Sequence, residues 1–357
     1  MIPIFKPYMP PALPELNDIL YSGNLSYGKW GKQFESKLSS YIGAEYVMVT
    51  NSYNSAMLIM LTTLGLSPGD VVLASPMSCL ASNQPFITQN LKVKWVDIDP
   101  ATGSMDPDSL VKAIDSNCKA IFHNHFCGTP GYIDEINKIA SEHGLVVVDD
   151  CIEAFGSKYK GKMMGNVGTD ASVFSFQTVR LPNTVDGGAI AFKSAKMFER
   201  ALRIRDYGIN RATFRDCYNE ISVDSDIEIG GYGALMPEIN SYIGYEQMGD
   251  LPLLISKQRE NAVKWQSYLT AKYPNDKIIG FSEDIDPNFW VIGLLCNNKQ
   301  ESLKHFRNIG YYATGVHISN NHYSVFGDQQ YLAGVSDFEN KFLALPTGWW
   351  IEDLSFD

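Results

Sequence analysis

Short apolar runs recur along the first half of the chain, each ended by polar, Gly or Pro residues. They are Tyr46–Thr50, Val71–Ser75, Lys92–Asp97, Lys119–His123, Leu145–Val148, Ala171–Phe176 and Ala189–Phe192. Amphipathic stretches lie between many of them. Phe34–Ile42 carries Phe34, Leu38 and Tyr41 on one face, Ala56–Leu64 stops at Gly65 and Pro68-Gly69, and Ile133–His143 fills a later interval. Asp106-Pro107-Asp108 reads as a helix start, with Pro in the first turn. Continuous apolar strands that alternate with helices predict an α/β fold with a mainly parallel sheet covered on both faces. Ligands of such sheets bind at the carboxyl ends of the strands.

The pattern changes after Lys193. Helices are predicted over Ala195–Arg205, Pro237–Asp250 and Leu254–Tyr273, with Tyr207-Gly208 closing the first. Strands are then predicted at Lys277–Ser282, Phe289–Leu295 and Tyr312–His317, with a helix at Ser302–Ile309. This gives three expected regions: a Pro-rich extended arm over 1–12, a large α/β domain over 13–250 and a smaller α+β domain over 251–357. The arm is expected to lie on another surface, such as that of a second subunit.

Composition narrows the class. The chain has 357 residues, with 45% hydrophobic and 19% charged, an ordinary globular profile with room for a large core. A net charge of −11 argues against nucleic acid or an anionic membrane as the main partner. No run of apolar residues approaches the ~20 needed to span a membrane, and no signal pattern opens the chain. Six scattered Cys without Cys-x-x-Cys spacing read as reduced residues of a cytoplasmic protein. His123 and His125 share a strand face, but no third ligand is apparent, so no metal is expected.

Two strand ends carry chemistry. Asn51-Ser52-Tyr53-Asn54-Ser55 joins a strand to a helix N-terminus, where free N–H groups and the helix dipole favour an anion. Ser52 or Asn54 also suits a plain helix cap. Asp149-Asp150 ends the Leu145–Val148 run. A third segment, Phe174-Ser-Phe-Gln-Thr-Val-Arg-Leu-Pro-Asn-Thr-Val-Asp-Gly-Gly188, follows a buried strand and ends in a Gly pair. Such a loop brings backbone close to a ligand.

That segment resembles the active-site loop of the DegT/DnrJ/EryC1/StrS sugar aminotransferases. The resemblance extends from Phe5 to about Trp350 and includes Phe34-Glu35 and Tyr41-Ile42-Gly43. It implies a fold-type-I, pyridoxal-phosphate-dependent architecture, a homodimer with the site at the subunit interface, and a nucleotide-sugar ligand from bacterial polysaccharide or antibiotic-sugar biosynthesis. By resemblance, Asp150 takes the place of the carboxylate that holds the cofactor's ring nitrogen. Ser175 takes that of the phosphate-binding Ser, and the segment Ser52-Tyr53-Asn54 that of the phosphate turn.

Several positions depart from the pattern. Glu153 stands where Gln or His neighbours the cofactor's phenolic oxygen, and a carboxylate there repels a phenolate unless protonated. Asn54 replaces a common Thr or Ala but can still donate a hydrogen bond. Leu80 stands where an aromatic often stacks on the ring. Gly233-Ala-Leu235 replaces an Asn-x-Arg whose Asn reaches the partner's phosphate. Above all, Arg180 holds the position of the Lys that ties the cofactor as a Schiff base. No Lys lies between Lys162 and Lys193, and Ser175 and Asp186-Gly-Gly fix the alignment on both sides. A guanidinium stays protonated, so it forms no Schiff base and serves as no base, but it can grip a carboxylate or phosphate, or pair with Glu153 or Asp186. Ordinary transamination is therefore not expected.

The sequence favours a non-catalytic homologue that binds a nucleotide sugar or a partner subunit. Pyridoxal phosphate, if it binds, would be noncovalent. The alternatives are an untethered, dehydratase-like enzyme on a keto-sugar nucleotide, or an aminotransferase served by another Lys. Asp186 and His317 are weaker substrate candidates, beside Asn320, Asn321 and His322.

Overall fold

We describe residues 1–356 of a computed structural model. Helices α1 (Leu16–Tyr21) and α2 (Lys29–Ile42) lead into an alternation of β1 (Tyr46–Thr50), α3 (Tyr53–Thr63), β2 (Val71–Ala74), α4 (Leu80–Thr88), β3 (Lys92–Trp95), α5 (Pro107–Ala113), β4 (Cys118–Asn124), α6 (Ile133–His143) and β5 (Val146–Cys151). Short strands β6 (Lys158–Tyr159) and β7 (Lys162–Met163) precede β8 (Ala171–Ser175), β9 (Gly188–Phe192) and α7 (Ala195–Arg205). Helix α8 (Glu238–Lys272) opens the last part, which adds β10 (Lys277–Ile279), β11 (Ile285–Asp286), β12 (Val291–Leu295), α9 (Lys299–Asn308), α10 (Ala333–Lys341) and β13 (Phe342–Pro346).

A run such as Val146–Val148 has no polar face, so it needs cover on both sides. It lies in the central strand of a seven-stranded sheet of order β1-β9-β8-β5-β4-β2-β3. Strands β3, β2, β4, β5 and β8 are mutually parallel. Strand β9 runs against both of its neighbours. A loop rather than a crossover helix joins β8 to β9, so an antiparallel pair is the available geometry. The second lobe holds the antiparallel sheet β10-β12-β13 over a core that includes Trp265, Phe306 and Leu343.

Three local expectations change. The helices predicted over Pro237–Asp250 and Leu254–Tyr273 are one 35-residue helix, α8, with Pro252 inside it. Tertiary burial overrides the Pro signal: Met248, Leu251 and Ile255 pack in a large-lobe core, and Trp265 and Leu269 in the small-lobe core. The boundary expected near 250 thus falls within an element that both lobes share. Tyr312–His317 is not a strand. It makes one bridge, Thr314 to Ala344, and Val316 turns to a φ of +62°. The Pro-rich arm packs on its own chain. Ile2 donates to the carbonyl of Gly310, the Tyr8 hydroxyl donates to Asp250, and the Tyr8 carbonyl accepts from Asn183.

The start of α2 is held from far along the chain. Glu238, the first residue of α8, is 5% exposed, and its carboxylate accepts the backbone N–H groups of Gly28, Trp30 and Gly31 at 2.9–3.1 Å. These are donors that a helix start cannot satisfy internally. Removing the carboxylate strands them, and each buried unsatisfied donor costs about 1–3 kcal/mol. Glu238→Ala should therefore lower unfolding stability by about 3 kcal/mol or more in urea titrations, and Glu238→Gln by less. A loss below about 1 kcal/mol in the Ala variant would show that water replaces the carboxylate.

Candidate active site

The carboxyl ends of β4, β5 and β8 meet the N-terminus of α3. Asp150, near the end of β5, is 2% exposed. Its Oδ1 accepts the Tyr53 hydroxyl at 2.7 Å and the Ile152 N–H at 3.1 Å. Its Oδ2 is buried and has no partner. Burial raises its pKa above the ordinary carboxylate value, against the hydrogen bonds of Ser82 and Tyr53. A buried carboxylate oxygen without a donor is costly, and the N–H of a protonated pyridine ring would satisfy it.

The phosphate-turn residues divide their roles. The Ser52 side chain accepts the Ser55 N–H at 3.0 Å, so it caps α3. Tyr53 is fully buried and orients Asp150, which leaves it behind the site rather than facing it. Asn54 is exposed on the first turn of α3. Leu80, the first residue of α4, is 38% exposed. Ser175 is buried at the end of β8, with its Oγ accepting the Gln177 N–H at 3.4 Å. Gly188 packs so close to α3 that a Cβ would lie 2.8 Å from the Ser52 carbonyl oxygen. This close packing is why the segment ends in a Gly pair.

Arg180 lies on the loop between β8 and β9. Its Nη2 is 3.4 Å from Glu153 Oε1, its guanidinium stands 5.3 Å from the Trp290 ring centroid, and its Nε has no acceptor. Asp186 is elsewhere, exposed, with its carboxylate accepting the Gly187 N–H. Glu153 has two further partners: the Cys127 N–H at 2.8 Å and His317 Nε2 at 3.1 Å. Burial pushes the Glu153 pKa up, but His317, Arg180 and the Cys127 N–H outweigh it and hold it at about 2. Glu153 is therefore ionised, and its charge is already answered. His317, a weaker expectation from the sequence, is brought into the site from the second lobe. Asn320 also reaches across, donating to the Ser78 carbonyl at 3.3 Å.

The third residue missing beside His123 and His125 is Asp149, the register partner of His123. Its Oδ1 is 3.5 Å from His123 Nδ1 and 3.2 Å from His125 Nε2, and its Oδ2 accepts the Thr169 hydroxyl at 2.7 Å. The spacing resembles a metal site, but the tautomer opposes it. Gly131 N–H donates to His125 Nδ1 at 3.1 Å, so the neutral ring carries its proton on Nε2, the nitrogen that faces Asp149. His123, His125 and Asp149 thus form a buried polar cluster in which this tautomer turns an N–H of His125 toward Asp149.

Four contributors escaped sequence reasoning: Lys6, Trp290, Trp349 and Trp350. All line a cavity with Arg180 and Ser175. Only the Pro-rich arm hinted at one of them, since Lys6 lies within it.

Glu153 makes the site pH-sensitive in a defined direction. Its folded pKa of about 2 lies below the ordinary 4.5, so its contribution is complete above the ordinary value and is lost as pH falls toward 2. That contribution is on the order of 3 kcal/mol. Urea midpoints followed between pH 7 and pH 3 should fall for the native protein. Glu153→Gln should lower stability by about 3 kcal/mol at neutral pH, because Arg180 loses its counter-charge, and flatten the acid dependence. Parallel pH profiles for both proteins would disprove this account.

Comparison with known proteins finds relatives in sequence and in overall fold. Residues 11–348 match the DegT/DnrJ/EryC1/StrS aminotransferase family. The spore coat polysaccharide biosynthesis protein SpsC of Bacillus subtilis (strain 168) is 27% identical over 363 aligned residues, covering 96% of this chain and 92% of that one. The GDP-4-keto-6-deoxy-D-mannose 3-dehydratase of Escherichia coli O55:H7 (strain CB9615 / EPEC) is 27% identical over 288 residues, 77% of this chain and 73% of that one. The crystal structure of the sugar aminotransferase CalS13 from Micromonospora echinospora superposes with a TM-score of 0.92 at 26% identity, over 99% of this chain and 96% of that one. No helix among the described residues is long and apolar enough to cross a membrane. By sequence and by fold, the chain belongs to the DegT/DnrJ/EryC1/StrS aminotransferase family.

Proposed function

We propose that this chain is a nucleotide-sugar-binding member of its family, in polysaccharide biosynthesis, that has lost the cofactor's covalent tether and performs no ordinary transamination. The observation that carries the reading is Arg180. By the family resemblance it takes the position of the tethering Lys, and its guanidinium is 10% exposed and paired with an ionised Glu153. A guanidinium neither condenses with an aldehyde nor takes up a proton at physiological pH.

The residues for the cofactor ring fit better than those for the tether. Pyridoxal phosphate, when bound, supplies an electron sink for a substrate carbanion. Asp150 would hold its ring nitrogen protonated through the unpartnered Oδ2. Ser175 and the first turn of α3, with Ser52 and Asn54, would hold its phosphate. Association as a homodimer across this cleft is part of the proposal and rests on the family resemblance.

A second reading has its own support. His317 hydrogen-bonds through Nε2 to Glu153 and is 19% exposed, which leaves Nδ1 as an acceptor able to move a proton near the tether position. Proton transfer there would suit an untethered, dehydratase-like reaction on a keto-sugar nucleotide.

Absorbance titration with pyridoxal phosphate, then borohydride reduction and intact mass, tests the reading. The native protein should give a free-aldehyde spectrum and no mass gain. Arg180→Lys should gain a borohydride-stable adduct at residue 180. Asp150→Asn should weaken cofactor binding about 10- to 100-fold, the worth of a charge-assisted hydrogen bond. An adduct on the native protein, at Lys6 or any other Lys, would overturn the proposal. Turnover of a keto-sugar nucleotide by the native protein, abolished in His317→Asn, would replace it with the second reading.

A further inference from the structure

The cavity beside Arg180 is lined by several donor side chains together with Glu153, Ser175, Gln258 and Asn288. Its volume is about 30 Å³, and its wall includes Lys6, Arg180, Trp290, Trp349 and Trp350. Four nitrogens of these side chains are buried without an acceptor: Arg180 Nε and the indole Nε1 of each Trp. Indole, guanidinium and ammonium groups donate and cannot accept. Both cations lie near indole rings, Arg180 at 5.3 Å from the Trp290 centroid and Lys6 Nζ at 5.6 Å from that of Trp349.

Two of the nearby acceptors, Glu153 and Asn288, are already engaged. Glu153 serves Cys127, His317 and Arg180. The Asn288 side chain accepts the Trp290 N–H through Oδ1 and donates through Nδ2 to the carbonyls of Glu153 and Phe155. So many orphaned donors around one space are unusual in a folded interior, where nearly all buried polar groups find partners. A small anion in this space would offer acceptors to whichever of these donors reach it. The space accommodates about two water-sized atoms, which suits the two oxygens of a carboxylate. A guanidinium fork also favours that planar shape.

We propose that this cavity is a carboxylate subsite, in which Arg180, Lys6 and the three indoles receive the carboxylate of a small organic acid or of an acidic sugar. The inference rests on Arg180 acting as a binding group, as in the functional proposal, but it does not require the cofactor.

The test uses the full chain without cofactor, labelled with nitrogen-15 in its indoles. Acetate is titrated at constant ionic strength, with acetamide as the neutral control and sulfate and phosphate as tetrahedral anions. Trp→Phe variants at 290, 349 and 350 assign the signals. The indole N–H resonances of these three residues should shift saturably with acetate and not with acetamide. Arg180→Gln and, independently, Lys6→Met should each weaken acetate binding about tenfold. Lys6 is exposed on the arm, so its variant tests the cage even if Arg180→Gln fails to fold. No saturable shift, an equal response to acetamide, or unchanged affinity in Lys6→Met would overturn the subsite. Saturation by sulfate or phosphate but not acetate would overturn its assignment to carboxylates. Cofactor binding is read separately by absorbance, so the failure of either proposal is visible without the other.

Discussion

The cleft depends on one ionised, buried carboxylate. Glu153 lies 5% exposed at the end of the central strand's turn, where an unpaired charge would be prohibitive. It is tolerated because three groups from three places converge on it: a backbone N–H at Cys127, a guanidinium on the β8–β9 loop and an imidazole from the second lobe. The same contacts that make the charge affordable also tie the lobes together. Arg180 and Glu153 are thus one structural unit. A cation at 180 without an anion at 153, or the reverse, leaves a buried charge uncompensated.

Two neighbouring carboxylates on the same strand show how environment separates roles. Asp149 and Asp150 point to opposite faces of β5. Burial pushes Asp149 up, but His125 and His123 outweigh it and hold its carboxyl well below the usual range. Thr169 occupies its other oxygen. Asp149 Oδ1 lies beside both imidazoles without a formed hydrogen bond, so Asp149 sits within a buried polar cluster. Asp150 has neutral partners only, Tyr53 and a backbone N–H, and burial keeps its pKa raised. One of its oxygens remains open. Adjacent residues of the same type thus meet different surroundings, one beside two imidazoles and the other beside a hydroxyl and a backbone N–H.

The sheet was legible because its signal is local. An apolar run such as Val146–Val148 and a helix such as Ala195–Arg205 declare themselves within a few residues. Strand ends and the Gly pair pointed to the segments around Asp150 and Ser175–Gly188, and the family resemblance supplied the roles expected of Asp150, Ser175 and Arg180. What stayed hidden was set by distance or by tertiary override. Pro252 looked like a helix break, yet burial on both sides of it keeps α8 continuous. Tyr312–His317 has strand composition, yet Val316 leaves the extended region and only Thr314 pairs. Asp149 as the partner of His123 and His125 follows from the β4–β5 register, which no single strand reveals. The Trp cluster and Lys6 come from opposite ends of the chain and meet only in three dimensions.

The pattern of retention and loss has a physical logic. Asp150 has an orienting hydroxyl in Tyr53, and the turn into α3 has a cap in Ser52. On the proposed reading, residue 180 is where a neutral, nucleophilic amine would be needed. An amine serves as tether and base only when it can lose its proton, which burial beside a carboxylate opposes. Pairing a guanidinium with Glu153 takes that arrangement to its limit: the cation is permanent, and so is the anion that faces it. A site of this kind is suited to holding charged groups in place rather than to passing protons through residue 180. Any proton transfer in the cleft would fall to His317, the imidazole of the Glu153 network, which can both donate and accept.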